Sequence, residues 1–229
     1  MADELASHQP DAPARALHSP PHDAEPDTEH DDSDQARDPE TCVIKVGGSL
    51  LDLPDLGSRL KRFIESLPAK QPIVVVGGGP AADLVRDRDR HDAIDPDRSH
   101  WLAVRAMSFN SFLLEALLDG STVVTSLGQC QAAWHNKLVP ILDPHSFLVA
   151  DENASASALP HRWTVTSDTI AARVAHASNA QELVLLKSVS WSTDDWQAAA
   201  EQGVVDEHFP REAQRPPGLR VRVVNLRGQ

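Results

Sequence analysis

Cysteine is nearly absent: the 229 residues contain only Cys42 and Cys130, far apart in the chain. A disulfide framework and a thiol-based zinc site both need more, so neither is indicated, and a reducing cytoplasm is the expected setting. No apolar run approaches the roughly 18 residues of a membrane span, and the N-terminus lacks the apolar core of a signal peptide. The expectation is a chain that neither crosses a membrane nor leaves by that route. Basic stripes are missing too. That removes nucleic acid from the expected partners, since binding it takes clustered Lys and Arg. The Gly-x-Gly-x-x-Gly spacing with its ribose-binding acid is also missing, which ranks a dinucleotide-dependent oxidoreductase low. No internal repeat is visible.

The net charge of −13 is unevenly spread. Residues 1–40 hold 12 acidic and 2 basic residues and so contribute −10, leaving −3 for the remainder. The first 40 residues also have scarcely any large apolar side chain, so they cannot offset the entropy of ordering and read as a disordered acidic tail. Their four histidines, His8, His18, His22 and His30, are unevenly spaced and read as solvated. Residues 41–229 are long enough, at 41% hydrophobic composition for the chain, for one domain with a sizeable core.

The most informative stretch is Cys42-Val43-Ile44-Lys45-Val46-Gly47-Gly48-Ser49-Leu50-Leu51. An apolar, β-branched run ending in Gly-Gly fits a central strand of a parallel sheet. A buried ammonium without a partner costs several kcal/mol, so Lys45 belongs at the strand's end beside an anion. Gly47 and Gly48 let backbone N–H groups face that anion as well. The arrangement recurs where Ile73-Val74-Val75-Val76 runs into Gly77-Gly78-Gly79 and a short helix over 81–86. Ligands of open α/β sheets bind outside the carboxyl ends of strands, so two such turns and a lysine point to a ligand carrying phosphate.

Between these strands, residues 54–67 carry a helical stripe, which makes a right-handed crossover between parallel strands. Residues 87–98 are charged and read as a solvated loop or a helix end. A long amphipathic helix over 96–118 is expected to bury Leu102, Ala106, Phe109, Leu113, Leu114 and Leu117, with His100, Arg105, Ser108 and Asn110 as its hydrogen-bonding groups. Residues 121–125 and 138–142 read as strands flanking a short helix, and Pro140 argues that the second is an edge or irregularly paired. Residues 143–160 look irregular. Thr166 or Ser167 can cap a following helix whose first turn holds Asp168, favourable to the macrodipole and also able to orient a lysine. Such a lysine follows in Glu182-Leu183-Val184-Leu185-Leu186-Lys187, a second strand that ends in an ammonium. The chain has five lysines against 16 arginines, and two of the five stand at strand ends. A compact ammonium suits a transferring phosphoryl group as a point charge. A helix over 194–202 and an edge strand over 219–226 complete the chain.

Taken in order, Lys45-Val46-Gly47-Gly48-Ser49, Val76-Gly77-Gly78-Gly79, Thr166-Ser167-Asp168 and Leu185-Leu186-Lys187 resemble the signatures of the amino acid kinase family over about residues 42–189. The resemblance implies a three-layer α/β/α sandwich with a mostly parallel central sheet, ATP and Mg2+ at the strand ends, and transfer to a phosphate or carboxylate oxygen of a small molecule. It implies catalytic roles for Lys45, Asp168 and Lys187, and ATP contacts from Gly47, Gly48, Ser49, Gly78, Gly79 and Ser188. It further implies acceptor contacts from Gly77, Arg86, His100, Asn110 and Thr166, no protein-held metal, and a homo-oligomer. His100-Trp101-Leu102-Ala103, Val205-Asp206, Phe209-Pro210 and Val223-Val224-Asn225-Leu226 look most like the small kinases of aminomethylfuran-methyl phosphate in methanofuran synthesis and their bacterial relatives in one-carbon metabolism. Two departures stand out. Ser188-Val189-Ser190-Trp191-Ser192 replaces the family's Asp-Gly pair beside the nucleotide, and the Gly-Gly-Met-x-x-Lys segment of acetylglutamate kinases is absent. The first departure keeps open a rival reading, a nucleotide- or oxyanion-binding protein on the same fold without turnover.

Overall fold

β1 (Thr41–Val46) runs through the centre of the computed structural model, which describes residues 40–228 except 69–70, 155–156 and 216–217. The expected tail lies outside the described residues except for Glu40, whose carbonyl accepts a hydrogen bond from Gln71 N at 3.0 Å. β1 is flanked by β2 (Gln71–Val76) and β5 (Glu182–Lys187), and all three are apolar on both faces, as a strand covered above and below must be. With β3 (Ser121–Val124), β4 (Val139–Leu142) and β6 (Arg220–Asn225) they form one six-stranded sheet in the order β3-β4-β2-β1-β5-β6. Every pairing is parallel. The sandwich is therefore of the expected kind, and its sheet is wholly rather than mostly parallel.

Strand parity decides what each face carries. Val43, Ile73, Val75, Leu183 and Leu185 join one core, which α6 (Ser167–Ala177) covers with parts of α3 (Pro96–Leu117), α4 (Leu127–His135) and α5 (Pro144–Ala154). Cys42, Ile44, Val74, Val76, Val184 and Leu186 join the other, under α1 (Leu56–Ser66) and the end of α3. Lys45 pairs with Leu185 in the register, so Lys45 and Lys187 leave the sheet on the same face, beside α6.

Four local expectations change. α2 spans Gly79–Asp92, beyond the short helix read from the sequence, because the charged run pairs with itself along the helix: Arg86 with Asp83, Arg90 with Asp87, Arg88 with Asp92. Residues 144–154 are helical rather than irregular, with Phe147 and Leu148 buried. β4 is interior, not an edge, yet its pairing is irregular as Pro140 requires. Val139 N and Asp143 N donate toward β3, so the missing Pro140 N–H faces β2, with which β4 shares a single paired position, Val74 with Ile141. The fourth change is in α3, which turns most of its expected core stripe outward. Leu102, Phe109, Leu113 and Leu117 are exposed, while His100, Val104, Met107, Asn110, Ser111 and Leu114 are buried. A polar face is buried because it packs on the second glycine turn.

Those glycine turns meet backbone to backbone. A Cβ on Gly48 would sit 2.3 Å from Gly79 N, and one on Gly77 would sit 2.7 Å from Gly48 N. Neither neighbour can move aside without displacing a strand end. Gly48→Ala is therefore expected to cost about 2 kcal/mol or more of overpacking strain. Gly128→Ala, on the exposed face of α4 with its nearest neighbour at 4.0 Å, should gain about 0.5 kcal/mol instead. Urea denaturation of the two variants beside the parent checks both signs, and a neutral Gly48→Ala would show that the turns have room.

Candidate active site

The site begins where β1, β2 and β5 end. Gly47 N donates to Leu186 O and Gly77 N to Val46 O, each at 2.9 Å, so these two amides extend the sheet ladder and do not face a ligand. The next amides begin helices: Gly48 and Ser49 a 3-10 turn over Gly48–Leu50, Gly79 the helix α2. N–H groups at a helix start have no intrahelical acceptor. Asn110 Nδ2 donates to Gly77 O at 2.8 Å and to Gly78 O at 2.7 Å. Because a trans peptide sets its N–H opposite its carbonyl, anchoring these two oxygens on α3 turns the N–H groups of Gly78 and Gly79 the other way. Asn110 thus orients the turn from behind instead of lining the cavity.

On the same face of the sheet, Lys45 Nζ lies 2.8 Å from Asp168 Oδ1, and Lys187 Nζ donates to Asp168 Oδ2 at 2.6 Å. Lys45 and Asp168 are almost wholly buried. Burial opposes ionisation of Asp168, but the ammonium groups of Lys45 and Lys187 prevail and hold its pKa below the usual carboxylate value. Lys187 is driven the opposite way. Burial, followed by repulsion from Lys45, lowers its pKa to about 8 despite the attraction of Asp168. One carboxylate between two ammonium groups leaves a local charge of +1 beside amides that lack acceptors, an arrangement that favours an anion.

A loop residue holds Asp168 in place. Asp206 accepts from Thr166 N at 3.1 Å, Thr166 Oγ1 at 2.8 Å and Thr169 N at 3.0 Å, and also from Thr169 Oγ1. It therefore caps α6, the role that the sequence reading gave to Thr166 or Ser167. The Thr166 hydroxyl is committed to Asp206, and Thr166 occupies the N-cap position without a side-chain cap bond of its own. Asp206 also helps to keep Lys187 charged.

A cavity of about 630 Å3 opens above this base. Lys45, Gly48, Ser49, Gly78, Gly79 and Asp168 form its floor, and Thr166 lies beside them. Arg86 and His100 stand on the walls farther out, with His161 and Trp163, which the sequence reading missed. Gly47, Gly77, Asn110, Lys187 and Ser188 are not in the wall: Lys187 reaches the site through Asp168, and Ser188 Oγ lies 3.1 Å from Ser49 Oγ, linking β5 to the first turn. Arg86 is held between Asp83, at 2.6 Å, and the Trp163 ring, 4.8 Å from its guanidinium carbon. His100 is buried, and burial followed by repulsion from His161 lowers its pKa to about 4, which makes it neutral. Val205-Asp206 was a sequence signal for Asp206. Nothing in the local spacing marked His161.

The model of the amino acid kinase family matches residues 40–190. The chain is 25% identical over 148 residues to the [5-(aminomethyl)furan-3-yl]methyl phosphate kinase of Methanocaldococcus jannaschii, a match that covers 64% of this chain and 65% of that protein. Among solved structures, the UMP kinase of Ureaplasma parvum superposes with a TM-score of 0.58 at 17% identity, over 82% of this chain and 90% of its own. The uridylate kinase of Archaeoglobus fulgidus superposes with a TM-score of 0.57 at 15% identity, over 82% and 92%. At such identities the structural likeness establishes the fold.

The charge count at the cavity floor is open to measurement without any ligand. Asp168→Asn leaves two buried ammonium groups facing each other and should cost about 3 kcal/mol or more. Lys45→Met leaves Asp168 paired with Lys187 and relieves one buried charge, so its stability should stay within about 1 kcal/mol of the parent. Equal losses in urea denaturation would show that the acid does not serve both cations.

Proposed function

Because the chain belongs to the amino acid kinase family, we propose that it is an ATP-dependent phosphotransferase acting on a phosphate or carboxylate oxygen of a small molecule. The observation that carries this reading is the buried +1 charge of Lys45, Asp168 and Lys187 beside the amides of two glycine turns. Given the relative from Methanocaldococcus jannaschii, a furan-methyl phosphate is the first acceptor to test.

The residues present fit a polyphosphate. Side chains are absent where backbone must come close, at Gly48 and Gly79, and the one carboxylate of the floor, Asp168, is paired with two lysines. Phosphoryl transfer between anions asks mainly for alignment and neutralisation of charge on the moving group. Lys45 and Lys187 supply that charge, Asp168 aims both, and the amides of Gly48, Ser49, Gly78 and Gly79 hold the donor and acceptor phosphates. A phosphate acceptor is already ionised, so no general base is needed. Mg2+ accompanying ATP would neutralise phosphate charge further. Both oxygens of Asp168 face lysine ammonium groups, so that ion would be held through the phosphates. Farther out, Arg86 and His100 would meet the acceptor. Among the described residues no helix is long and apolar enough to cross a membrane. The buried thiols Cys42 and Cys130 suit a reducing cytoplasm.

Incubation with ATP, Mg2+ and a panel of small phosphates, read by ADP formation, tests the activity. Lys45→Ala should lower turnover at least a hundredfold. ATP binding without ADP release for every acceptor would favour the rival binding protein, which the altered segment 188–192 motivates. The pH profile has a definite sign. Lys187 is charged below its pKa of about 8 and loses that charge above it, so kcat/KM for ATP should fall as pH rises through about 8. Lys187→Arg should shift that fall upward, and an unchanged profile would remove Lys187 from the role.

We also propose that α3 pairs with α3 of a second copy. Phe109 and Phe112 are 62% and 56% exposed, in line with Leu113 and Leu117, an apolar stripe that water covers at a cost. Light scattering should show a multimer for the parent and a monomer for Phe109→Asp combined with Phe112→Asp. A monomeric parent overturns the pairing.

A further inference from the structure

At the outer end of the cavity, away from the lysines, two imidazoles and a carboxylate converge. The rings of His100 and His161 stack with centroids 4.2 Å apart and planes 8° from parallel. His161 Nε2 lies 2.8 Å from Glu152 Oε1, and its Nδ1 lies 2.9 Å from Asp97 Oδ1. One ligand atom from each of His100, Glu152 and His161 falls within 4.8 Å of the other two. His100 is only 7% exposed, and its Nε2 has no hydrogen-bond partner. A buried ring nitrogen left without a partner forfeits a hydrogen bond that water would have supplied.

We propose that His100, Glu152 and His161 form a binding site for a single Zn2+ ion, with an open coordination position toward the cavity. Two imidazoles and one carboxylate are a donor set that zinc accepts with a fourth position free for water or a ligand. Hard cations such as Mg2+ and Ca2+ prefer all-oxygen shells, so the two nitrogens select against them. Asp97 supplies the outer support such sites carry: by accepting from Nδ1–H it fixes the His161 tautomer and leaves Nε2 as the ligand. Zinc would replace the hydrogen bond between Nε2 and Glu152. Tetrahedral bonds of about 2.1 Å place two ligand atoms about 3.4 Å apart, so the 2.8 Å contact must open by roughly half an ångström and the stacked rings must fan apart. Glu152 stands in the last turn of α5, where a side-chain rotation gives that movement. Any proton held between Nε2 and the carboxylate passes to solvent. His100 and His161 line the cavity, so the open position faces the space where an acceptor's outer end would lie.

Metal binding is read without turnover, so its outcome does not depend on the kinase reading. The full-length chain, freed of metal with a chelator, is titrated with Co2+ as a spectroscopic stand-in, then with Zn2+ against a chromogenic chelator. One equivalent should give the visible absorption of four- or five-coordinate Co2+, displaced by Zn2+ and not by a large excess of Mg2+. Glu152→Gln and His161→Ala should each weaken binding at least tenfold and abolish that absorption. Asp97→Asn, which disturbs only the support, should weaken binding about tenfold while keeping the absorption. Glu152 is half-buried, so Glu152→Gln keeps the test decisive if His161→Ala fails to fold. Absorption unchanged in Glu152→Gln would place the ion elsewhere, for example on the histidines of residues 1–39, and would overturn the assignment. Absence of any stoichiometric binding would overturn it equally.

Discussion

A single buried carboxylate shared by two ammonium groups governs how this protein is built. Lys45 and Lys187 arrive on separate strands, and like charges that close, shielded from water, would drive the strand ends apart if Asp168 were not between them. Asp168 must therefore be held rigidly, and much of the nearby structure does that. It sits in the first turn of α6, where the macrodipole favours an anion, and Asp206 closes the exposed amides of that turn. Within the set of Lys45, Asp168 and Lys187 the pairing is incomplete by one negative charge, which Asp206 offsets in part through its attraction for Lys187. That deficit makes the cavity floor a place for an anion instead of a sealed structural ion pair.

The second constraint is spatial. Gly48 and Gly79 touch backbone to backbone, which brings two sets of helix-start amides into the same few ångströms and leaves their surface free of side chains. Asn110 enforces the orientation by holding two carbonyls from α3, and this helps to explain why that helix buries polar residues while exposing Phe109, Phe112 and Leu113. Helix amphipathicity here serves two surfaces. One faces the turn and the cavity, and the other faces outward with the apolar stripe.

Much of the cavity floor was legible in the chain. Lys45, Asp168 and Lys187 were recognisable because a charge in or at the end of an apolar strand, or in a helix's first turn, is costly or purposeful and so conspicuous in one dimension. The same holds for the Gly-Gly and Gly-Gly-Gly turns. Of the outer wall, Arg86 and His100 were named from the sequence, and His161 and Trp163 were not. His100 belongs to α3, Glu152 to α5 and His161 to the loop before α6, elements separated by up to 61 positions in sequence. Nothing local marks them as neighbours, and one of the three, Glu152, fell in a stretch that read as irregular. The role of each glycine was equally hidden, since ladder bonds claim the amides of Gly47 and Gly77 and spare those that follow.

The amino-acid order alone determined the α/β alternation, the parallel strands and the residue types at the strand ends, because hydrophobic period and the cost of burying charge act along the chain. It also determined that Lys45 and Lys187 point alternately to their own sheet faces, though not that the faces coincide. Only the tertiary structure decided that, through the pairing of Lys45 with Leu185, which puts both cations beside α6. It likewise decided which face of α3 is buried and which amides remain open. These are outcomes of packing and register between distant segments, and such contacts leave no periodic trace in any one of them.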